Sequence, residues 1–506
     1  MVRLVHTLAV RDARIPNGVR RLPRLAGLTL LGFAAWMATA DGSQAQKSMA
    51  GEVVTVSINA AAGGVYVPST AIGINTAVWD GNLLDKPIPT LLRQAGVRIL
   101  RYPGGSTSDA YHWSSHSLSA AAPGDVAGNT GFDSVMKHVV LPTGAQMMVT
   151  VNYGSAAKGK KPGTPAEAAA WVRHANRVRK YGVKYWEIGN EIYGNGYYGA
   201  QWETDFHTDH SPSAYARNAV QFIRTMKRQD PHIKVGLVLA TPTQWPDGQG
   251  PEDWNSTVLK SGCGAADFVS LHFYPQQPGD ESDAGLLAST DNIPTMVQKT
   301  QALLRAQCGA HAGRVGIMVT ETNSVSSNPG KQTTGPVNAV YLIANYLSWL
   351  QAGVQNVSWW DLHNSATAGN DSSSLAGSHH FGDYGLLSSG SPGFARNAPY
   401  PTYEALRLVG MAAKPGSHFV EVSSSSGGIK SFALRGSTGQ LTLVLLNNGA
   451  GRVKVTTSTT SANGVARISS FDANHPKLTT RTVRFSGPLS LAMGPYGAAV
   501  SVISRT

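Results

Sequence analysis

From residue 70 onward the chain alternates two apolar rhythms. Short runs rich in β-branched and aromatic residues are followed by longer stretches in which apolar residues recur every three or four positions. The short runs are "AIGINTAVW" (71–79), "VRILRYPGG" (97–105), "QMMVTVNY" (146–153) and "KYWEIGNE" (184–191), then "IKVGLVLA" (233–240), "DFVSLHFYP" (267–275), "RVGIMVTET" (314–322) and "QNVSWWDLH" (355–363). The pattern predicts eight strands with helices between them. In "TPAEAAAWVRHANRVRKYG" (164–182), Thr164 is placed to cap a helix, Pro165 opens its first turn and Glu167 completes a capping box. Ala168, Trp171, Val172, Ala175 and Val178 share one face of that helix, and Gly182 closes it. "SPSAYARNAVQFIRTMKRQDP" (211–231) starts on Ser-Pro and stops before a proline, and "VNAVYLIANYLSWLQAG" (337–353) is apolar on most faces, as a helix packed against a sheet would be.

Eight strands alternating with helices predict an α/β fold, a (β/α)8 TIM barrel over residues 70–414. A doubly wound open sheet is the rival, but "YPGG" (102–105) lacks the Gly spacing of a dinucleotide-binding turn. "YPTYEALRLVGMAA" (400–413) reads as the last barrel helix. Residues 415–506 change to short β runs such as "LTLVLLNN" and "GAAVSVIS", separated by Gly, Ser and Asn, and predict a β-sandwich. Within 46–69, "VVTVSINA" (53–60) precedes the barrel and is placed to join that sandwich.

Residues 1–45 read differently. Arg20, Arg21 and Arg24 precede the apolar run "LAGLTLLGFAAWMATA", with small residues at two candidate cleavage positions ending at Ala40 and Ala45. This predicts a signal peptide and a secreted or periplasmic protein, with an uncleaved anchor as the alternative. The run is short of the about 20 residues a membrane span needs, so no stable span is expected after cleavage. These residues carry six Arg and two Asp, so the rest keeps a net charge of +8 of the +12 in the whole chain. The basic residues are scattered, and no nucleic-acid-binding motif accompanies them. With export, a bridge between Cys263 and Cys308 is expected, both being placed in loops at one end of the barrel; two buried thiols are the alternative.

Barrel chemistry sits at the C-terminal ends of the strands. The fourth run ends in "IGNE", at Glu191, and the seventh carries Glu321 in "VTE". Two carboxylates facing each other across a barrel mouth suit glycoside cleavage, where one protonates the leaving oxygen and the other works from the opposite side. Glu187 shares the parity of Glu191 but lies about 13 Å deeper at ~3.3 Å per residue, where a paired structural carboxylate is expected, with Arg98 or Arg101 as partner.

With these residues the chain resembles the clan A glycoside hydrolases. Asn190-Glu191 matches the clan's Asn-Glu pair on strand 4, Glu321 its nucleophile strand, and "LRYPGG" (100–105) and "DFVSLHFYP" (267–275) its strands 2 and 6. "WEIGNE" is similar to the α-L-arabinofuranosidase family 51. "TETNS" is nearer to the Thr-Glu-Trp-Asn of family 39, with Thr322 in place of Trp. A looser likeness runs to the β-glucuronidase and heparanase family 79. The resemblance spans roughly residues 70–410 and implies a retaining double displacement, with Glu321 as nucleophile and Glu191 as acid/base.

It further implies supporting roles. Arg101, His272 and Tyr274 are expected to pair with or donate to Glu321, and Asn190 to hold the sugar 2-hydroxyl. Structural ion pairing or packing is the alternative for each. Trp359 and Trp360 are adjacent, so one faces the mouth as a sugar platform and the other a helix. Trp113, Tyr193, Tyr197, Tyr198 and Trp202 are further aromatics in loops at that end. No cofactor is implied, and no His/Cys/carboxylate spacing suggests a metal. The expected partner is a polysaccharide or oligosaccharide. Lys158, Lys160 and Lys161 offer a contact for an acidic one, or simply a solvated loop. An endo-acting or uronate-directed glycosidase of the same clan, and a non-catalytic carbohydrate-binding barrel, are the rival functions.

Overall fold

The computed structural model describes residues 53–505, apart from 62, 251, 369, 391, 392 and 459–462. The expected leader, residues 1–45, lies outside the described residues. Among the described residues no helix is long and apolar enough to cross a membrane.

All eight predicted barrel strands form: β1 (Ile72–Asn75), β2 (Ile99–Tyr102), β3 (Gln146–Val151), β4 (Tyr185–Ile188), β5 (Lys234–Val238), β6 (Phe268–Phe273), β7 (Gly316–Thr322) and β8 (Asn356–Trp359). They pair in parallel in chain order, and β8 closes on β1 through Val357–Ile72 and Trp359–Ile74. Each ladder is shorter than its apolar run, and in all but β7, which runs to Thr322, the last residues of the run leave the ladder at the mouth. The floor of the barrel is Ile99, Met148, Phe268 and Met318. Gly236 makes room for it: a Cβ there would sit 2.2 Å from the Phe268 ring. Helices such as Pro165–Val172, Pro212–Gln229 and Pro336–Gln351 cover the outside, and Thr164 and Ser211 cap the first two through side-chain oxygens.

The parity of β7 is interrupted. Val319 pairs with Leu271 and Glu321 with His272, leaving Thr320 as an extra residue. Such a bulge lets two consecutive side chains turn to the same side. Here Thr320 and Glu321 both face the barrel's polar centre.

The C-terminal strands are β9 (His418–Ser424), β10 (Ile429–Arg435), β11 (Leu441–Asn447), β12 (Val453–Ser458), β13 (Asn463–Asp472), β14 (His475–Ser486), β15 (Leu489–Met493) and β16 (Ala498–Arg505). The N-terminal strand Val53–Asn59 lies among them, antiparallel to β9 and parallel to β12. The ladder turns a corner within β9, whose first residues pair with β10 and whose last pair with Val53–Asn59. Two layers result, closing on Val54, Val56, Leu443, Leu445, Ile468 and Leu491. β11 alternates strictly: Leu443 and Leu445 enter that core, while Val444 and Leu446 join the barrel's core beside Leu406 and Val409 of helix Pro401–Ala412.

Cys263 and Cys308 are not bridged. Both are free, buried thiols, at the C-terminal ends of helices Trp254–Gly262 and Ile293–Cys308 rather than in loops. The Cys263 Sγ–H donates to the Gln307 carbonyl at 3.7 Å, so a hydrogen bond to the backbone takes the place of the expected bond between sulfurs.

Candidate active site

Arg101 is the hub. It is fully buried on β2, and its guanidinium donates to Glu187 Oε2 (2.8 Å), Asn75 Oδ1 (2.9 Å), Glu321 Oε1 (2.6 Å) and Asn190 Oδ1 (2.8 Å). Burial alone would lower its pKa, but the charges of Glu187 and Glu321 more than offset this and raise it, so it remains a cation. Glu187 also accepts from the Thr150 and Thr320 hydroxyls, at 2.8 and 2.9 Å. Burial pushes its carboxyl up, and the charges of Arg101 and His272 with hydrogen bonds from Ser270 and Arg101 together outweigh that to hold it below the usual carboxylate range.

Depth then separates the three glutamates. The Glu187 side chain is 0% exposed, Glu321 6% and Glu191 19%. Only the last two are within reach of a substrate. Glu321 is held from both sides, by Arg101 and by the Tyr274 hydroxyl at 2.7 Å on Oε2. Glu191 stands just beyond the end of β4, heading a short helical turn, Ile192–Gly194. It takes the Tyr193 hydroxyl on Oε1 (3.0 Å) and the Trp202 indole N–H on Oε2 (2.8 Å).

His272 departs from its expected place. Its Nδ1 meets Glu191 Oε1 at 2.8 Å and stands 3.5 Å from Glu321 Oε2, so its close partner is Glu191. Its Nε2 meets Thr320 Oγ1 at 3.0 Å. Burial would lower the imidazole pKa, but the charge of Glu321 and the Glu191 contact raise it. Burial would raise Glu191, but hydrogen bonds from His272, Tyr193 and Trp202 outweigh it and lower its pKa.

Asn190 is 2% exposed, and its groups are already engaged: Oδ1 with Arg101, Nδ2 with Glu203 Oε1 (2.8 Å) and the backbone N–H with Asp109 Oδ2 (2.7 Å). One N–H and one lone pair of the amide remain for a sugar hydroxyl. Trp359 is excluded from the mouth: it is fully buried, 6.1 Å from the Tyr341 ring on helix Pro336–Gln351. Trp360 is the half-buried one, lying over Gly105, where a Cβ would come within 2.7 Å of the indole. Trp113 stacks on Trp171 at 5.8 Å and belongs to the packing under the helices. Trp202 and Trp245 are 44% and 40% exposed, with ring centroids 5.3 Å apart, and form an open aromatic wall beside Glu191. Lys158, Lys160 and Lys161 are exposed.

Glu191, His272 and Glu321 bring one oxygen or nitrogen each to within 4.8 Å of one another. The Arg101 guanidinium on Glu321 and the hydroxyl and indole donors on both carboxylates fit a site that handles protons better than one that holds a cation. These two carboxyl oxygens lie at the mouth of a parallel barrel, close enough to act on one bond.

Known proteins resemble this chain in sequence and in fold. An α-L-arabinofuranosidase C of Emericella nidulans is 28% identical over 248 residues, 42% of this chain and 43% of that protein. An intracellular exo-α-(1→5)-L-arabinofuranosidase of Streptomyces lividans is 26% identical over 261 residues, 47% of this chain and 36% of its own. The chain thus spans under half the length of these curated relatives. The solved α-L-arabinofuranosidase of Thermotoga maritima, in complex with arabinose, superposes with a TM-score of 0.67 at 17% identity, over 90% of this chain and 100% of that one. The family 51 enzyme of Thermotoga petrophila superposes with a TM-score of 0.68, also at 17% identity, over 89% of this chain and 100% of that one. No family model matches the sequence.

The chain resembles the α-L-arabinofuranosidases.

In this arabinofuranosidase-like chain several buried groups around the site gave no signal in the sequence. Asp109 holds the Asn190, Tyr153 and Gly154 N–H groups; burial raises its carboxyl to about 8. Glu203 accepts from Ser106 and Asn190 and is pushed well up by burial and by Asp109 and Glu191. Asp361, after Trp360, is 1% exposed with neither carboxyl oxygen hydrogen-bonded; burial, Asp383, Asp80 and Glu321 push it well up. The long segment 364–399 contributes buried Phe381, Asp383 and Tyr384, and Arg396 and Asn397 fasten it to Asp85. The partners lie from 13 to 312 residues apart in the chain, and only the fold brings them together.

Proposed function

We propose that the protein is a retaining O-glycosyl hydrolase that releases α-L-arabinofuranosyl units from oligosaccharides or polysaccharides. The observation that carries this reading is the pair of carboxylates, Glu191 and Glu321, with oxygens within 4.8 Å across the barrel mouth. Inverting enzymes hold their carboxyl groups about 6.5–9.5 Å apart to admit a water, whereas retaining ones hold them at about 5–5.5 Å. Glu321, pinned by Arg101 and Tyr274, attacks the anomeric carbon, and the glycosidic C–O bond breaks as Glu191 protonates the departing oxygen. Water then attacks the same carbon, Glu321 leaves, and Glu191 takes the water's proton. The arabinofuranosyl preference rests on the named relatives. The export of the protein rests on residues 1–45.

The test is a panel of 4-nitrophenyl glycosides and arabinose-containing polysaccharides, with Glu191→Ala and Glu321→Ala beside the parent protein. The expected result is hydrolysis of the α-L-arabinofuranoside, lost in both variants, with azide returning Glu321→Ala to an inverted glycosyl azide. Parent-level turnover in both variants would overturn the mechanism. A different preferred glycoside would overturn the substrate.

A further inference from the structure

The hydrogen bonds around His272 leave little freedom for its protons. Arg101 keeps Glu187 ionised, so Glu187 only accepts. The Thr320 hydroxyl has one hydrogen, and it goes to Glu187 Oε1 at 2.9 Å. Thr320 Oγ1 can therefore only accept from His272 Nε2, 3.0 Å away, which must carry a hydrogen. The neutral tautomer protonated on Nδ1 is thereby excluded. At 2.8 Å, Nδ1 and Glu191 Oε1 need one hydrogen between them. It belongs either to a carboxylic acid facing a bare Nδ1 or to an imidazolium facing a carboxylate.

From this we infer that His272 is the positioning residue of the acid/base, and that the proton Glu191 delivers is stored on the Glu191–His272 contact. The inference rests on the reading of Glu191 as acid/base. When the departing oxygen takes the proton, Glu191 Oε1 and the bare Nδ1 face each other as two acceptors. That repulsion is relieved when attacking water yields its proton to the pair, so the same histidine that stocks the acid sharpens the base. The charged and titratable groups facing His272 are Glu191 beyond β4, Glu321 on β7 and Arg101 on β2, with Glu187 behind Thr320. While the shared proton sits on His272 it holds Glu191 as a carboxylate; the pair as a unit keeps that proton to higher pH than a Glu191 left with only the Tyr193 and Trp202 donors, so without His272 the acid proton is lost at lower pH.

Two measurements test this. In the resting protein, the ring nitrogen shifts of 15N-histidine-labelled enzyme, assigned by comparison with His272→Asn, need no substrate. Nε2 should be protonated from pH 5 to 9 while Nδ1 alone titrates, and Thr320→Val should release that restriction. A neutral ring protonated on Nδ1 would overturn the inference whatever the enzyme cleaves. In turnover, His272→Asn should bring the alkaline limb of kcat/KM down by about one pH unit. At pH 7 it should lose at least about tenfold more on a 4-methoxyphenyl than on a 2,4-dinitrophenyl arabinofuranoside, because the better leaving group needs no acid. An unmoved limb with equal losses on both substrates would overturn it. Wild-type activity in Glu191→Ala would instead condemn the assignment of Glu191, leaving the shift measurement to judge His272.

Discussion

Replacing Arg101 with Met tests the centre of the barrel. The substitution keeps an unbranched apolar stem and removes the guanidinium that pairs with both Glu187 and Glu321. Glu321 sits at the mouth, 6% exposed, and has Tyr274 in reserve. Glu187 is 0% exposed and keeps the Thr150, Thr320 and Ser270 hydroxyls but no counter-ion in direct contact. Removing one partner of a buried ion pair costs about 3–5 kcal/mol, chiefly for the charge left behind. Arg101→Met should therefore lose about that much stability at pH 7 in urea denaturation followed by tryptophan fluorescence. Adding Glu187→Gln removes the orphaned charge and should return about 1–3 kcal/mol of it. The pH dependence has a fixed sign. In the parent, Glu187 titrates below its unfolded value of about 4.3, so its contribution is complete above that pH and fades only as pH falls through the lower folded value. In Arg101→Met the same carboxyl is raised, so mild acid neutralises it and the gap between the proteins narrows from pH 7 to 5. A loss under about 1 kcal/mol at pH 7, or a gap indifferent to pH, would refute the view of Arg101 as the counter-ion of a buried carboxylate.

Other outcomes follow from the surroundings of the site. Trp245→Ala opens the wall beside Glu191 without touching either carboxylate, and should raise KM several-fold for arabino-oligosaccharides while sparing a 4-nitrophenyl arabinofuranoside. Equal effects on both would remove the wall from substrate binding. Cys263 and Cys308 are each 6% exposed, and burial with the neighbouring Cys263 pushes the Cys308 thiol up to about 12. A thiol reagent at pH 8 should find neither in the folded protein and both after denaturation without reductant. No thiol in the denatured protein would mean that the two are bridged.

The barrel was legible because its strands and helices write different periods into the sequence, and each of the eight apolar runs holds a strand. The placement of Glu191 and Glu321 at the mouth followed from the same pattern. Direction was harder to read. The bulge at Thr320 turns Glu321 inward against simple alternation, and nothing in "VTET" announces it. His272, expected on Glu321, lies 3.5 Å from it but only 2.8 Å from Glu191, because parity places a ring in the barrel without saying which of two carboxylates it meets more closely. Asp109 takes the Asn190 backbone N–H and Glu203 its side-chain amide from 81 and 13 residues away, contacts that no local pattern encodes.

β11 carries a consequence for how such a protein is put together. One face of this strand fills the sandwich and the other fills the barrel, so neither half owns its core alone. A chain cut after Lys414 would leave the underside of helix Pro401–Ala412 bare, and a freed sandwich would show Val444, Leu446 and Val500 to water. The C-terminal region is thus no interchangeable attachment of the kind that is shuffled between enzymes. It is a wall of the barrel's own body, and the two should melt in a single cooperative step.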